Sequence, residues 1–187
     1  QLRVAVNVSP LHFHDPSLMD TIKDALESSG LSPEHLEIEI TEASVQSDTK
    51  AMVVLRQLQE IGVRIAIDDF GNGYSSLGSL KHLPINTLKI DPVFVRGMMA
   101  NNEDAVMLGT IIGLAHALGY TVIAEGVEGR QQAAVLAGLH CDLAQGFLFS
   151  RPVPAEPIPA LLARDAYYTD DPQALLDPAA QAGGRDV

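Results

Sequence analysis

The sequence predicts an α/β protein, a (β/α)8 TIM-like barrel that lacks about two strands at its N-terminal side. Six segments of strand length alternate with segments of helical period, as expected for a parallel sheet covered by helices. The chain has 187 residues, 47% of them hydrophobic, which is enough for one domain with a real core. Polar residues fall within or at the ends of several strands. A barrel gathers such strand ends on one face, whereas the alternative, an open doubly wound sheet, spreads them along a line.

The predicted elements follow one another as strand–helix units. Gly30, Gly62 and Gly119 each follow a segment of helical period and are expected to end helices, and Pro92 suits the first turn of a short helix. Apolar or alternating runs predict strands at 4–8, 36–42, 64–68, 87–90, 121–125 and 143–149, the first of them buried. Helical spacing predicts helices from Asp15 or Ser17 to 29, at 50–61, at about 75–83, from 92, at 104–118 and at 130–137.

Composition excludes several classes of function. The formal net charge of −12 argues against a nucleic acid polymer as partner, because such binding needs clustered Lys and Arg, so a phosphate ligand would need cations beside it. A single cysteine, Cys141, excludes an internal disulfide and fits a reducing cytoplasm. No run approaches the roughly 18 apolar residues of a membrane span, and no signal peptide pattern is present. We expect a cytoplasmic segment without membrane contact, although its parent protein could be membrane-anchored.

The two ends of the chain predict a piece of a longer protein. Gln1 is not an initiator methionine, and a strand pattern begins at Leu2 with no lead-in. Residues 1–164 are expected to form the N-terminally incomplete barrel domain. The regular pattern dissolves beyond about Arg164, and the Ala-, Gly- and Asp-rich stretch 165–187 is predicted to be a disordered C-terminal tail.

Two adjacent carboxylates lie at the centre of the pattern. Asp68 and Asp69 end the apolar run that begins at Arg64, and a glycine-spaced loop follows from Gly71, which we interpret as able to order over a ligand. Adjacent strand residues are expected to point in different directions, one aspartate toward a metal and the other toward a second metal or the loop. Two acids at a strand end are costly without a cation between them, which favours a divalent metal. The alternative for Asp69 is a turn or helix-cap aspartate.

Polar residues of other predicted strands extend this acidic site. Glu37 and Glu39 share one side of the second strand, which a solvent-facing strand would also explain. Lys89 lies between apolar residues and is expected to pair with a carboxylate or a negatively charged intermediate, unless its strand is an edge strand. Glu125 ends the fifth strand and is a natural general base. Gln145 offers an amide to a water or a carboxylate, or a hydrogen bond within the core.

The inventory of ligand types points to a hard metal ion. The six histidines show no metal-ligand spacing, so a zinc site built from His and Cys is not expected. Carboxylates together with an amide suit Mg or Mn instead.

Taken together, the motifs resemble those of EAL-domain cyclic di-GMP phosphodiesterases. The resemblance covers about residues 2–162 and consists of six segments in the family's order and spacing. They are Asn7-Val8-Ser9, Glu39-Ile40-Thr41-Glu42, Asp68 to Leu77, Lys89-Ile90-Asp91, Ala124 to Glu128, and Gln145-Gly146-Phe147. The resemblance implies a barrel that hydrolyses the bacterial second messenger cyclic di-GMP to linear pGpG with two Mg or Mn ions.

The resemblance also implies roles for individual residues. The positions that match metal ligands are Asn7, Glu39, Asp68, which bridges both ions, and Asp69, which serves the second ion. The positions that match catalytic residues are Lys89 near the attacking water, Glu125 as general base, and Gln145, which helps to hold the water and the metal shell. Glu42 matches a glutamate that anchors the loop after Asp69, and that loop takes part in dimer contacts.

Two departures from the family pattern bear on activity. Asn72 stands where the family usually has Thr, a mild change that keeps a hydrogen-bonding side chain. The Glu-Ala-Leu motif is absent together with its metal-binding glutamate, and we interpret this as a missing upstream segment because the other acids are present. The family further implies a homodimer and an upstream sensory or cyclase domain. The alternatives are an inactive cyclic di-GMP receptor and a (β/α)8 enzyme that acts on a different phosphate.

Overall fold

The computed structural model describes residues 2–41, 48–71 and 80–163. Four predictions fall wholly or mostly outside these ranges: the loop-anchoring role of Glu42, the loop around Asn72, the helix at 75–83 and the tail at 165–187. They stay predictions.

Six strands form one sheet whose spatial order follows the sequence. They are β1 (Val4–Asn7), β2 (Leu36–Thr41), β3 (Arg64–Phe70), β4 (Thr87–Ile90), β5 (Thr121–Ala124) and β6 (Leu143–Ala144). The pairings of β1 with β2, β2 with β3, β3 with β4, and β5 with β6 are parallel. A doubly wound sheet reverses its strand order near the middle, whereas a (β/α)8 barrel adds each strand beside the last. The order therefore confirms the predicted fold class.

Where the sequence predicted both ends of a helix and the structure describes it, the observed bounds lie within two residues of the predicted ones. They are α1 (Leu18–Ser29), α2 (Thr49–Glu60), α3 (Pro92–Gly97), α4 (Asn102–Ala117), α5 (Arg130–Gly138) and α6 (Ile158–Leu162), of which α6 was not predicted. Gly30 ends α1 in the left-handed conformation, with φ of 68°, as glycine does at a helix C-terminus. The Asp48 carboxylate caps α2 by accepting from the Lys50 and Ala51 N–H groups. None of the helices in the described ranges is both long enough and apolar enough to cross a membrane.

The chain divides into two compact units. The first unit contains Gln1–Asp91 and Leu114–Val122, and the second contains Pro92–Gly113 and Ile123–Val187. The core of the first unit packs strand residues against α2, with Ile38, Ile40, Ile65, Ile67, Leu88, Leu55 and Leu58 almost fully buried. The core of the second unit contains Val95, Leu108, Ile112, Val127 and Leu136. Apart from Val127, which follows β5, these core residues lie in the strands and helices of their own unit.

Two predictions about strands were wrong. The first strand was expected to be buried, but all four residues of β1 are exposed, because β1 is the outermost strand of the described sheet. The sixth strand was predicted over 143–149, but β6 ends at Ala144. The chain turns there: the Phe149 N–H donates to Gly146 O at 3.1 Å. A Cβ on Gly146 would lie 2.2 Å from the Val127 carbonyl oxygen, so this position after β6 requires glycine.

Candidate metal centre

A buried lysine joins two carboxylates inside the first unit. Lys89 Nζ lies 2.8 Å from Glu39 Oε1 and 2.9 Å from Asp68 Oδ1. The Lys89 side chain is 4% exposed, so the edge-strand alternative is wrong and the expectation of a carboxylate partner is confirmed. Glu39 is also buried, which excludes the solvent-facing alternative for this face of β2. A single ammonium thus faces two carboxylates and leaves one negative charge in excess.

A β-bulge lies at the two adjacent aspartates. Ile67 pairs with Leu88 and Phe70 pairs with Ile90, so Asp68 and Asp69 together oppose the single residue Lys89. Asp69 takes up the extra length with a positive φ of 54°, a conformation that Asp tolerates better than most residues. The Asp69 N–H donates to Asp68 Oδ1 at 3.1 Å, and a carboxylate oxygen of one residue lies within 4.8 Å of an oxygen of the other. Regular strand alternation ends at the bulge, and Asp68 is half-buried whereas Asp69 is exposed.

Burial and neighbouring negative charges together raise the pKa of Asp69. Burial is the largest cause that raises the pKa of the Asp69 carboxyl above its ordinary value, followed by the charges of Asp68 and Asp91, while Lys89 lowers it. A divalent cation here would neutralise the repulsion that the single lysine leaves in place.

Asn7 ends β1 level with the acidic residues. It pairs in register with Glu39, and the next residue, Val8, donates its N–H to Glu39 O at 2.9 Å. The parallel pairing therefore sets an amide side chain beside a carboxylate at the carboxyl ends of adjacent strands. Glu42 lies outside the described residues.

The second unit holds the other two predicted residues. Glu125 is half-buried directly after β5, and Gln145 is exposed directly after β6. Their backbones are tied together, because the Gln145 N–H donates to Ala124 O at 2.8 Å and the Val127 N–H donates to Gln145 O at 3.0 Å. Glu125 therefore lies on a short segment whose flanking residues, Ala124 and Val127, are both hydrogen-bonded to the backbone of Gln145.

Gly126 fixes the backbone direction immediately after Glu125. It has φ of 68°, and a Cβ at this position would lie 2.6 Å from Pro92 Cβ. Only glycine satisfies both the left-handed conformation and the close approach. The residue that follows the predicted general base is therefore restricted by its packing on α3.

The donor set fits hard divalent cations. In the first unit the side chains of Glu39, Asp68, Asp69 and Asn7 supply carboxylate and amide oxygens, the ligands that Mg and Mn take. The described part of the chain brings no histidine into this group. The structure thus places Glu39 and Asp68 against Lys89, Asp69 next to Asp68, and Asn7 in register with Glu39. Glu125 and Gln145 lie in the second unit.

Sequence reasoning missed the surroundings of Glu37. This residue is 3% exposed, and its Oε2 accepts from Thr87 Oγ1 at 2.7 Å and from Arg64 Nε at 3.3 Å. Arg3 Nη1 lies 3.4 Å from the same oxygen. The alternation of β2 signals that Glu37 shares a face with Glu39, but it carries no information about partners on β3, on β4 and just before β1.

Comparison with known proteins identifies the relatives of this chain. A family model described as the EAL domain matches residues 1–152. The bifunctional diguanylate cyclase/cyclic di-GMP phosphodiesterase MucR of Pseudomonas aeruginosa is 44% identical over 86% of this chain and 24% of its own length. The cyclic di-GMP phosphodiesterase NbdA of the same organism is 41% identical over 96% of this chain and 23% of its own length. The chain therefore spans about a quarter of the length of these two relatives.

Solved structures agree with the sequence relatives. The MucR phosphodiesterase in complex with cyclic di-GMP superposes with a TM-score of 0.78 at 43% identity, over 83% of this chain and 64% of that chain. A manganese and cyclic di-GMP complex of BlrP1 from Klebsiella pneumoniae superposes with a TM-score of 0.76 at 34% identity, over 80% of this chain and 39% of that chain.

Proposed function

Because the chain belongs to the EAL domain family, we propose that it is a metal-dependent phosphodiesterase that hydrolyses cyclic di-GMP to linear pGpG. The observation that carries the proposal is the acidic group around Lys89, in which Glu39 and Asp68 lie at 2.8 and 2.9 Å from one ammonium and Asp69 lies next to Asp68 at the bulge. The names of MucR and NbdA support the substrate, and the BlrP1 complex supports a divalent ion beside it.

The metal ions of this proposal are two Mg or Mn ions. Asn7, Glu39 and Asp68 would hold them, with Asp68 shared between both and Asp69 serving the second. When bound, they would neutralise phosphate charge and make water a better nucleophile at neutral pH. This contribution explains how a chain of net charge −12 accepts an anionic substrate.

In this proposal, three residues of the chain have roles in the hydrolysis itself. Glu125 takes a proton from the attacking water while the water oxygen forms a bond to phosphorus. The bond from phosphorus to the 3′ oxygen breaks on the opposite side, and that oxygen leaves as a hydroxyl after taking a proton from solvent water. Glu125 afterwards returns the proton that it took to solvent. Lys89 holds Glu39 and Asp68 in place and offers positive charge near the attacking water, and Gln145 orients that water through its amide.

The wider setting of the domain is also part of the proposal. The Glu42 side chain anchors the loop after Asp69, and two copies of the domain form a homodimer that this loop contacts. An upstream sensory or cyclase domain precedes the domain in a longer cytoplasmic protein. The MucR and NbdA relatives, which are about four times longer than the aligned region, support an additional domain.

The experiment that tests the proposal separates turnover from binding. Purified full-length protein and its Glu125→Gln variant are incubated with cyclic di-GMP and Mn²⁺, and products are resolved by chromatography while affinity is measured by calorimetry. We expect pGpG from the wild type and a loss of at least about a hundredfold in kcat for the variant, the low end for a general base. The variant should still bind the nucleotide. Binding without turnover in the wild type would instead assign the receptor alternative.

A further inference from the structure

A second layer of buried polar groups lies beneath the acidic residues of the first unit. Its centre is Glu37 on β2, whose Oε2 accepts from Thr87 on β4 at 2.7 Å. Arg64 at the start of β3 and Arg3 just before β1 lie at 3.3 and 3.4 Å from the same oxygen. One carboxylate oxygen of β2 therefore contacts β3, β4 and the residue just before β1.

The two layers are built on the same strands, one pleat apart. Glu37 precedes Glu39 by two residues and Thr87 precedes Lys89 by two, so each pair shares a face of its strand. The lower link runs from Thr87 to Glu37 and the upper link from Lys89 to Glu39, and both connect β4 to β2 across β3. Ala66, fully buried and in register with Glu39 and Thr87, leaves room for both links.

We propose that Glu37 and Thr87 are positioning residues of the metal centre, an inference that rests on the proposed function. Thr87 is fully buried and Glu37 nearly so, and their hydrogen bond sets the distance between β2 and β4 at the level below the ligands. Arg64 ties β3 to the same oxygen and so fixes the strand that carries Asp68. Because the three strands β2, β3 and β4 are linked at this level, the carboxylates of Glu39 and Asp68 are held at hydrogen-bonding distance from Lys89. A shift of about 1 Å in such groups is enough to lower a rate about a hundredfold.

The contacts of Glu37 also distinguish a positioning role from charge neutralisation alone. If Glu37 served only to neutralise charge, its two arginines would suffice, and no link to β4 would be needed. The shortest contact of Glu37 is instead with the neutral hydroxyl of Thr87. That hydroxyl is the group whose removal tests the proposal, because Thr87→Val keeps the side-chain shape and Thr87→Ser keeps the hydroxyl.

The test measures Mn²⁺ binding to the full-length protein without nucleotide, by calorimetry, alongside thermal unfolding in EDTA. We expect Thr87→Val to raise the Mn²⁺ dissociation constant about tenfold, within the range seen when partners outside the ligand shell are removed. Thr87→Ser should stay within about twofold of the wild type. In the turnover assay, kcat of Thr87→Val should fall more than KM changes, because Thr87 and Glu37 are buried and not accessible to a substrate.

Each outcome decides the proposal independently of the proposed function. A folded Thr87→Val variant with the wild-type Mn²⁺ dissociation constant would overturn it, whatever the unfolding temperature. If Thr87→Val does not fold, Glu37→Gln takes its place with the same expectation, and failure of both to fold would assign the layer to stability alone and overturn it. If the wild type binds Mn²⁺ but does not hydrolyse cyclic di-GMP, the proposed function fails while the metal-binding comparison still decides the role of this layer.

Discussion

The substitution Lys89→Met tests whether the acidic residues depend on their buried counter-ion. Methionine has a similar length and fills the same buried space, so packing around β4 is largely kept. The change leaves Glu39 and Asp68 facing each other without the ammonium that now lies 2.8 and 2.9 Å from them. In the metal-free protein this should lower the free energy of unfolding.

The expected loss is about 3 kcal/mol. Removing one partner of a buried ion pair typically costs about 3–5 kcal/mol, because the remaining charge is left uncompensated. Lys89 has two partners, which argues for the upper end of this range. Asp68 is 15% exposed and keeps some solvation, and the variant no longer has to desolvate an ammonium, which together favour the lower end.

The assay is urea unfolding in EDTA at neutral pH, followed by circular dichroism. Lys81→Met is the matched control, since Lys81 is exposed and the same change there should alter stability by less than about 0.5 kcal/mol. A loss below about 1 kcal/mol for Lys89→Met, similar to the control, would refute the reasoning that Lys89 neutralises the two carboxylates.

Three further predictions concern other parts of the chain. Asp69→Asn should raise the melting temperature of the metal-free protein at pH 7, because Asn tolerates the positive φ and removes the repulsion with Asp68 and Asp91. The gain should shrink as pH falls through the raised pKa of Asp69, since protonation of the wild type removes the same repulsion; an unchanged gain at low pH would contradict the assignment. Gly146→Ala should destabilise by about 2–3 kcal/mol in chemical unfolding, because its Cβ would meet the Val127 backbone, whereas Gly138→Ala, with nothing within 4 Å, should be neutral or slightly stabilising. Cys141 should react slowly with iodoacetamide at pH 8, because burial raises the pKa of its thiol to about 11 and leaves only about one thiolate in a thousand; alkylation as fast as that of a free cysteine would count against it.

Hydrophobic period was sufficient to predict most of the fold. The α2 and α4 helices and the β2 and β4 strands lie close to their predicted bounds. The sixth strand was predicted too long because apolar residues continue to Phe149, whereas the chain turns after Ala144. The close approach of Gly146 to Val127 depends on a segment distant in sequence, which a local pattern does not encode.

The site was predicted as a set of residue types but not as a geometry. Carboxylates at strand ends indicated a metal centre, and the burial of Lys89 confirms that it needs a partner there. The bulge at Asp68 and Asp69 depends on the register with β4, which local sequence does not encode. Glu37 was missed as a connecting residue for the same reason, because its partners lie on β3, on β4 and just before β1.

The central claim is that the acidic residues support metal-dependent hydrolysis of cyclic di-GMP, and metal removal tests it most directly. Full-length protein is treated with EDTA, dialysed, and assayed for pGpG before and after addition of Mn²⁺ or Mg²⁺, with Asp68→Asn in parallel. We predict no product in EDTA, full recovery on metal addition, and no recovery in Asp68→Asn. Turnover that persists in EDTA, or nucleotide binding without turnover in either metal, would contradict the account.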